Sequence, residues 1–205
     1  MVPLRHGQQT DPALQIYAPI IHNPFAMSMR DAYIFAMSSD RTENIFGALA
    51  LALSDEIVRA SSMAAPEVGP AAAAIVLLGH EPGMSIAELA VGVALTHPGA
   101  VRLVDRLVTD GMIERRADNE DGRVRSLHLT KNGEESCKAI LFARGRVVAK
   151  VVQALTTDEL QQLECLSERM LRSLLIDAGH ALRICRLCDY GTCDRCPIDL
   201  ELGAG

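Results

Sequence analysis

The stretch THPGAVRLVDRLVTDGMIERRADNEDGRVRSLHLT, residues 96–130, decides the fold. Its first part predicts a helix. Thr96 stands where a side-chain oxygen caps a first turn, and Pro98 falls inside that turn, where a missing N–H costs nothing. Val101, Val104 and Val108, flanked by Leu103 and Leu107, make one apolar stripe at helical spacing, with Arg102 and Arg106 four apart beside it. Gly111 ends the helix as a C′ glycine. Met112 to Arg116 and Val124 to Leu129 then predict two short strands, joined by the polar, turn-rich ADNEDG.

Working upstream, Ser85-Ile86-Ala87-Glu88 is a capping-box match that opens a helix, SIAELAVGVAL, expected to end near Leu95. Two helices across a short turn, followed by a hairpin, make a winged helix-turn-helix. A helix whose first residues are small or polar can enter a major groove, and arginines on a hairpin can reach phosphates or the minor groove. The candidate DNA-facing residues are therefore Ser85, Thr96, His97, Gly99, Ala100, Arg102 and Arg106 on the helices, with Arg123 and Arg125 on the hairpin. The ordinary alternative for Arg102 and Arg106 is a solvated helix face paired with Asp105 or Asp110. Arg115 and Arg116 fit phosphate contacts or plain strand-end charges equally well.

LTHPGAVRLVDRLVTDGMIERR, followed by Asp118-x-x-Asp121-Gly122-Arg123 and Leu129-Thr130-x-x-Gly133, resembles the MarR family of transcriptional regulators from about Arg41 to about Ala181. The resemblance implies a mainly helical homodimer of winged-helix subunits that binds an inverted-repeat, double-stranded DNA operator and usually represses. It also implies that Asp121 orients Arg123 at the wing tip. The effector, a small molecule or a redox signal, varies across the family and does not transfer.

On either side of this unit lie long helices. Ile45, Leu49, Leu53 and Ile57 recur every four residues in a helix expected from Asp40 to Pro66, and Gly69-Pro70 restarts an Ala-rich helix to Leu78. After the hairpin, 132–155 predicts one long helix. Thr156-Thr157-Asp158-Glu159 is a second capping box, opening a helix with Leu160, Leu163, Leu166, Met170 and Leu174 on one face. These helices carry more apolar surface than one winged helix can bury, and a partner subunit is the simplest outlet. Residues 1–39, broken by Pro3, Pro12, Pro19 and Pro24, read as an arm of uncertain order; 40–181 form the winged-helix and dimerisation domain, and 182–205 a Cys-rich extension.

Hydrophobic residues are 49% of the 205, enough for a sizeable core, yet aromatics are only 3%, so that core must be aliphatic. No apolar run reaches the roughly eighteen residues of a membrane span. The run ALALAL is stopped by Ser54-Asp55-Glu56, and the expectation is a soluble, cytoplasmic protein. A formal charge of −6 argues against indiscriminate coating of nucleic acid but not against a site-specific reader with clustered arginines. There is no GxSxG, no phosphate loop and no GxGxxG, so no enzyme chemistry is expected.

Cys185-x2-Cys188-x4-Cys193-x2-Cys196 places four of the six cysteines within twelve positions. Two CxxC pairs across a short turn can aim four thiolates at one centre. An iron–sulfur cluster is favoured, since Cys188-x4-Cys193-x2-Cys196 matches the plant-type [2Fe–2S] run; zinc, a thiol–disulfide switch and an inert tail are the alternatives. His180 is a conceivable substitute ligand, and Cys137 and Cys165 read as buried and inert. A cluster beside the dimer helices would change the spacing of the two reading heads. The competing functional reading is a metal-stabilised protein-interaction module without specific DNA binding; a redox enzyme would need a second cofactor site.

Overall fold

The computed structural model describes residues 29–117, 125–193 and 195–203, except for the side chains of 29–39 and of Arg125. Asp121 and Arg123 lie outside the described residues, as do 1–28 of the expected arm. The chain divides into two compact units, residues 1–50 and 51–205. In the first, the described residues form the leading part of helix α1 (Met29–Ala64). The helix therefore starts well before the expected Asp40. Past Pro24 no proline or glycine interrupts the chain until Gly47, so nothing stops propagation. Of its four-residue stripe, Ile45 and Leu49 are exposed, at 47% each.

The second unit is built on α2 (Ala71–His80). Every residue from Ala71 to Leu78 is buried, which is what a helix apolar on all sides must become in water. Its alanines let neighbours approach closely, while Ile75, Val76, Leu77 and Leu78 each contribute about 1.5–3 kcal/mol relative to exposure. Leu89, Leu103, Leu107, Ile113, Leu127 and Ile140 close the same core from the elements that follow. Those are α3 (Ile86–Gly92), α4 (His97–Thr109), β1 (Ile113–Ala117), β2 (Arg125–Leu129) and α5 (Lys131–Val152).

The strands pair antiparallel, with Ile113 opposite Leu129 and Ala117 opposite Arg125. Gly83 N–H donates to Leu127 O at 2.8 Å and Leu127 N–H to Met84 O at 2.9 Å, tying the hairpin to the chain just ahead of α3. At the hairpin's other end Gly133 crosses the backbone of Met112 so closely that a Cβ would lie 2.1 Å from Met112 O. Thr130 caps α5 there, accepting from Gly133 N–H at 3.1 Å while its own hydroxyl donates to Gly111 O.

Helix α6 (Thr157–Leu174) has the expected capping box of Thr156 and Glu159 and no buried residue. Leu160, Leu163, Leu166, Met170 and Leu174 are all exposed, as are Phe142 and Val151 on α5. The expected surplus of apolar surface is thus found on the protomer. The C-terminal segment differs from the expected extension at 182–205. Asp177 caps a further helix, α7 (Ala178–Cys185), that runs across that boundary; a 3-10 turn (Tyr190–Thr192) and α8 (Pro197–Leu202) follow. Helix α7 packs on α3, and α8 on α6. Among the described residues no helix is long and apolar enough to cross a membrane.

Candidate nucleic-acid interface and cysteine cluster

The reading head is made by local chemistry. Ser85 Oγ accepts from Glu88 N–H at 3.2 Å and Glu88 Oε2 accepts from Ser85 N–H at 2.8 Å, closing the capping box of α3. Helix α3 stops at Gly92, earlier than Leu95, because Ala94 takes a left-handed φ of 55°. The turn that results delivers Thr96, whose Oγ1 accepts from Gly99 N–H at 3.3 Å and starts α4. Gly111, at φ 70°, ends it as a C′ glycine should.

The predicted contact residues separate on this frame. Thr96, His97 and Arg102 are exposed along one end of α4, and Gly99 and Ser85 are half-buried. Ala100 is a correction: it is fully buried, because at that turn the small side chain packs inward, and it cannot touch a base. Arg106 is exposed, and its acidic partner differs from the expected one. Its Nε and Nη2 donate to the two carboxylate oxygens of Glu67 at 2.8 and 3.0 Å, a fork-on-fork pair with a loop residue rather than with Asp105 or Asp110. That bond holds the guanidinium pKa above its ordinary value. Glu67 gave no sequence signal, since it lies 39 positions away.

Arg115 donates to Asp105 at 2.6 Å, pinning β1 to α4, and Arg116 donates to Glu114 at 2.6 Å within the strand. Arg102 has no carboxylate partner among the described residues, which leaves it as the uncompensated cation of α4. Arg125 occupies the first position of β2. Ser126 Oγ and His128 Nε2 lie 3.1 Å apart and occupy each other, in keeping with a structural role for His128.

Three of the four clustered cysteines share a small second core. Cys185 is 3% exposed, and Cys188, Cys196 and Tyr190 pack around it with Ala181 and Ile198. Cys193 is exposed, and among the described residues no three His, Cys, Asp or Glu side chains already converge as ligands. The Cys185 thiol donates a hydrogen bond to Cys188, which with burial raises Cys185 and pulls Cys188 down to about 7. Burial and a hydrogen bond to Cys185 raise the Tyr190 phenol. His80, at the end of α2, meets the Cys188 carbonyl through Nε2 at 2.8 Å and lies 4.2 Å from the Tyr190 ring. His180 Nδ1 is buried without a partner among the described residues. Cys137 is buried, its thiol raised by desolvation, as expected; Cys165 is exposed, contrary to expectation, on a helix with no fully buried residue.

Residues 69–124 match the sequence pattern of the MarR family. The HTH-type transcriptional regulator BilQ of Clostridium symbiosum (strain WAL-14163) is 33% identical over 96 residues, 47% of this chain and 67% of BilQ. The transcriptional repressor MprA of Escherichia coli (strain K12) is 32% identical over 87 residues, 42% of this chain, and the chain spans about half of MprA, 49%. Two solved structures share the fold. A MarR family protein from Bacillus stearothermophilus superposes with a TM-score of 0.57 at 22% identity, covering 73% of this chain and 99% of its own. The YusO protein from Bacillus subtilis gives 0.54 at 21% identity, covering 67% and 96%.

Proposed function

This chain belongs to the MarR family, and from that premise we propose that it is a DNA-binding transcriptional regulator, a repressor acting as a homodimer on an inverted-repeat operator. It acts by binding and carries out no catalysis. The observation that carries the reading is the N-terminal half of α4, where Thr96, His97 and Arg102, which has no carboxylate partner among the described residues, are all exposed on a capped helix-turn-helix that is followed by a β-hairpin. The names of BilQ and MprA, a regulator and a repressor, support the same direction.

In this reading α4 enters the major groove with its N-terminal half, where Thr96 and His97 meet base edges and Arg102 meets a phosphate or a guanine edge. Arg106 stays with Glu67 and holds the body of α4 to the loop before α2. The hairpin, carrying Arg123 and Arg125, lies along the backbone. Exposed Leu163, Leu166 and Met170 of α6, with Phe142 of α5, are covered by the second subunit, which sets the two heads about one DNA turn apart. A gel-shift against a library of inverted-repeat duplexes tests the proposal. One family of sequences should be retained at nanomolar protein, with two chains per duplex; retention of every duplex equally, or of none, refutes it.

A further inference from the structure

The cysteine segment is placed where a reading head can feel it. Val91 and Gly92 of α3 lie against α7: a Cβ on Gly92 would stand 3.5 Å from Leu182 Cβ, and one on Gly179 would stand 3.2 Å from Val91 Cγ1. Leu182 and Leu187 reach into the main core, and the His80 bond to the Cys188 carbonyl fastens the same loop to α2. The chain from 178 to 203 therefore backs the helix-turn-helix and is not a loose tail.

Beside the packing of α7 on α3 and of α8 on α6, only Ala181, Cys185 and Ile198 are fully buried in the second core of these two helices of 8 and 6 residues. Helices that short do not persist in water without an external tie. Small modules of this kind are commonly stapled by a metal whose binding free energy supplies what the apolar core lacks. The four cysteines sit at the joints such a staple would need. Cys185 ends α7, Cys188 follows one turn later with its N–H donating to Cys185 O at 2.8 Å, Cys193 ends the 3-10 turn, and Cys196 is the N-cap of α8. A cavity of about 620 Å³ between α3, α7 and α8 has Cys185, Tyr190 and Ile198 in its wall, so the centre has room beside it. Among the described residues no three of these side chains already converge, so the thiolates close on the centre as it binds, exposed Cys193 included.

We propose that Cys185, Cys188, Cys193 and Cys196 hold one four-thiolate metal centre, an iron–sulfur cluster or a zinc ion, that staples α7 and α8 and presses α7 against α3 of the reading head. The 188/193/196 spacing favours iron–sulfur over zinc. The lever acts on α3 within one subunit, which moves the point of action from the spacing of the two heads to the head itself. This rests on the DNA-binding reading only for its consequence, since the centre and its contact with α3 are tested without DNA.

The full chain, purified anaerobically, is assayed for iron, acid-labile sulfide and zinc, with its visible absorption spectrum. Expected is one centre per chain: brown protein with equal iron and sulfide, or colourless protein with one zinc. Cys193→Ser, at an exposed position that leaves the small core intact, lowers the metal content at least tenfold, while Cys165→Ser leaves it unchanged. Chelation of the wild-type protein speeds hydrogen exchange of the α3 amides from Leu89 to Val93 at least tenfold. Metal below one tenth per chain, with the four thiols freely reactive or paired as disulfides, overturns the centre; full metal retention in Cys193→Ser overturns the ligand set. Unchanged α3 exchange after chelation overturns the staple, and none of these readouts moves if the protein fails to bind duplex.

Discussion

Replacing Arg102 by Ala and, separately, Arg106 by Ala distinguishes two arginines that the sequence presents as equivalents. Arg102 is exposed on α4 with no carboxylate partner among the described residues, whereas Arg106 already spends two N–H groups on Glu67. Each phosphate neutralised by an arginine releases counterions, and log K falls with log salt by roughly 0.9 per contact. A dimer presents Arg102 twice, so Arg102→Ala should flatten the slope by about 1.8. Between 50 and 200 mM salt, a fourfold change, the wild type should then lose about twelvefold more affinity than the variant. Arg106→Ala should leave the slope unaltered. Fluorescence anisotropy of a labelled operator duplex, titrated at five or six salt concentrations, reads both. An unchanged slope in Arg102→Ala would show that this end of α4 meets no phosphate. Equal flattening in Arg106→Ala would show that the Glu67 pair opens on the duplex.

Gly133→Ala puts a methyl 2.1 Å from Met112 O, a backbone atom held by Thr130 N–H, so chemical denaturation should find a loss of about 3 kcal/mol or more. Thr156→Ala removes the cap of α6 and should cost about 1 kcal/mol by the same assay. Glu159 is held below its ordinary value near 4.5 by hydrogen bonds from the Thr156 N–H and hydroxyl. Its contribution is thus present above pH 4.5 and lost as pH falls through the lower folded value. Glu159→Gln should lower stability at pH 7 and converge with the wild type in strong acid. Leu166→Glu, on the exposed face of α6, should convert a dimer to a monomer in sedimentation velocity without changing the far-UV circular dichroism; a dimer that survives would take that face out of the interface.

Some of this molecule is written locally and can be read from the chain. The caps at Ser85, Thr96, Thr130 and Thr156 depend on a residue and its neighbours three positions on, and Gly111 on its own freedom at positive φ. The winged helix-turn-helix follows from them and from the apolar stripe of α4. Other features came out differently because their causes are distant. Helix α3 stops short because the turn forces Ala94 into a left-handed conformation, which no alanine announces. Cys165 is exposed although its helix reads as amphipathic, since only a covering surface makes such a face a core.

The sequence alone determined the order of elements and the chemistry available at the reading head and in the cysteine run, because short-range sterics and hydrogen bonding act between neighbours. The inward turn of Ala100 follows from its i, i+3, i+4, i+7 spacing with Leu103, Val104 and Leu107. Only the tertiary structure decided that Arg106 belongs to Glu67, and that Cys188 is tied through its carbonyl to His80, 108 positions away. Those outcomes arise where chain segments far apart in order are packed side by side, and no periodicity in either segment encodes which partner the other will find.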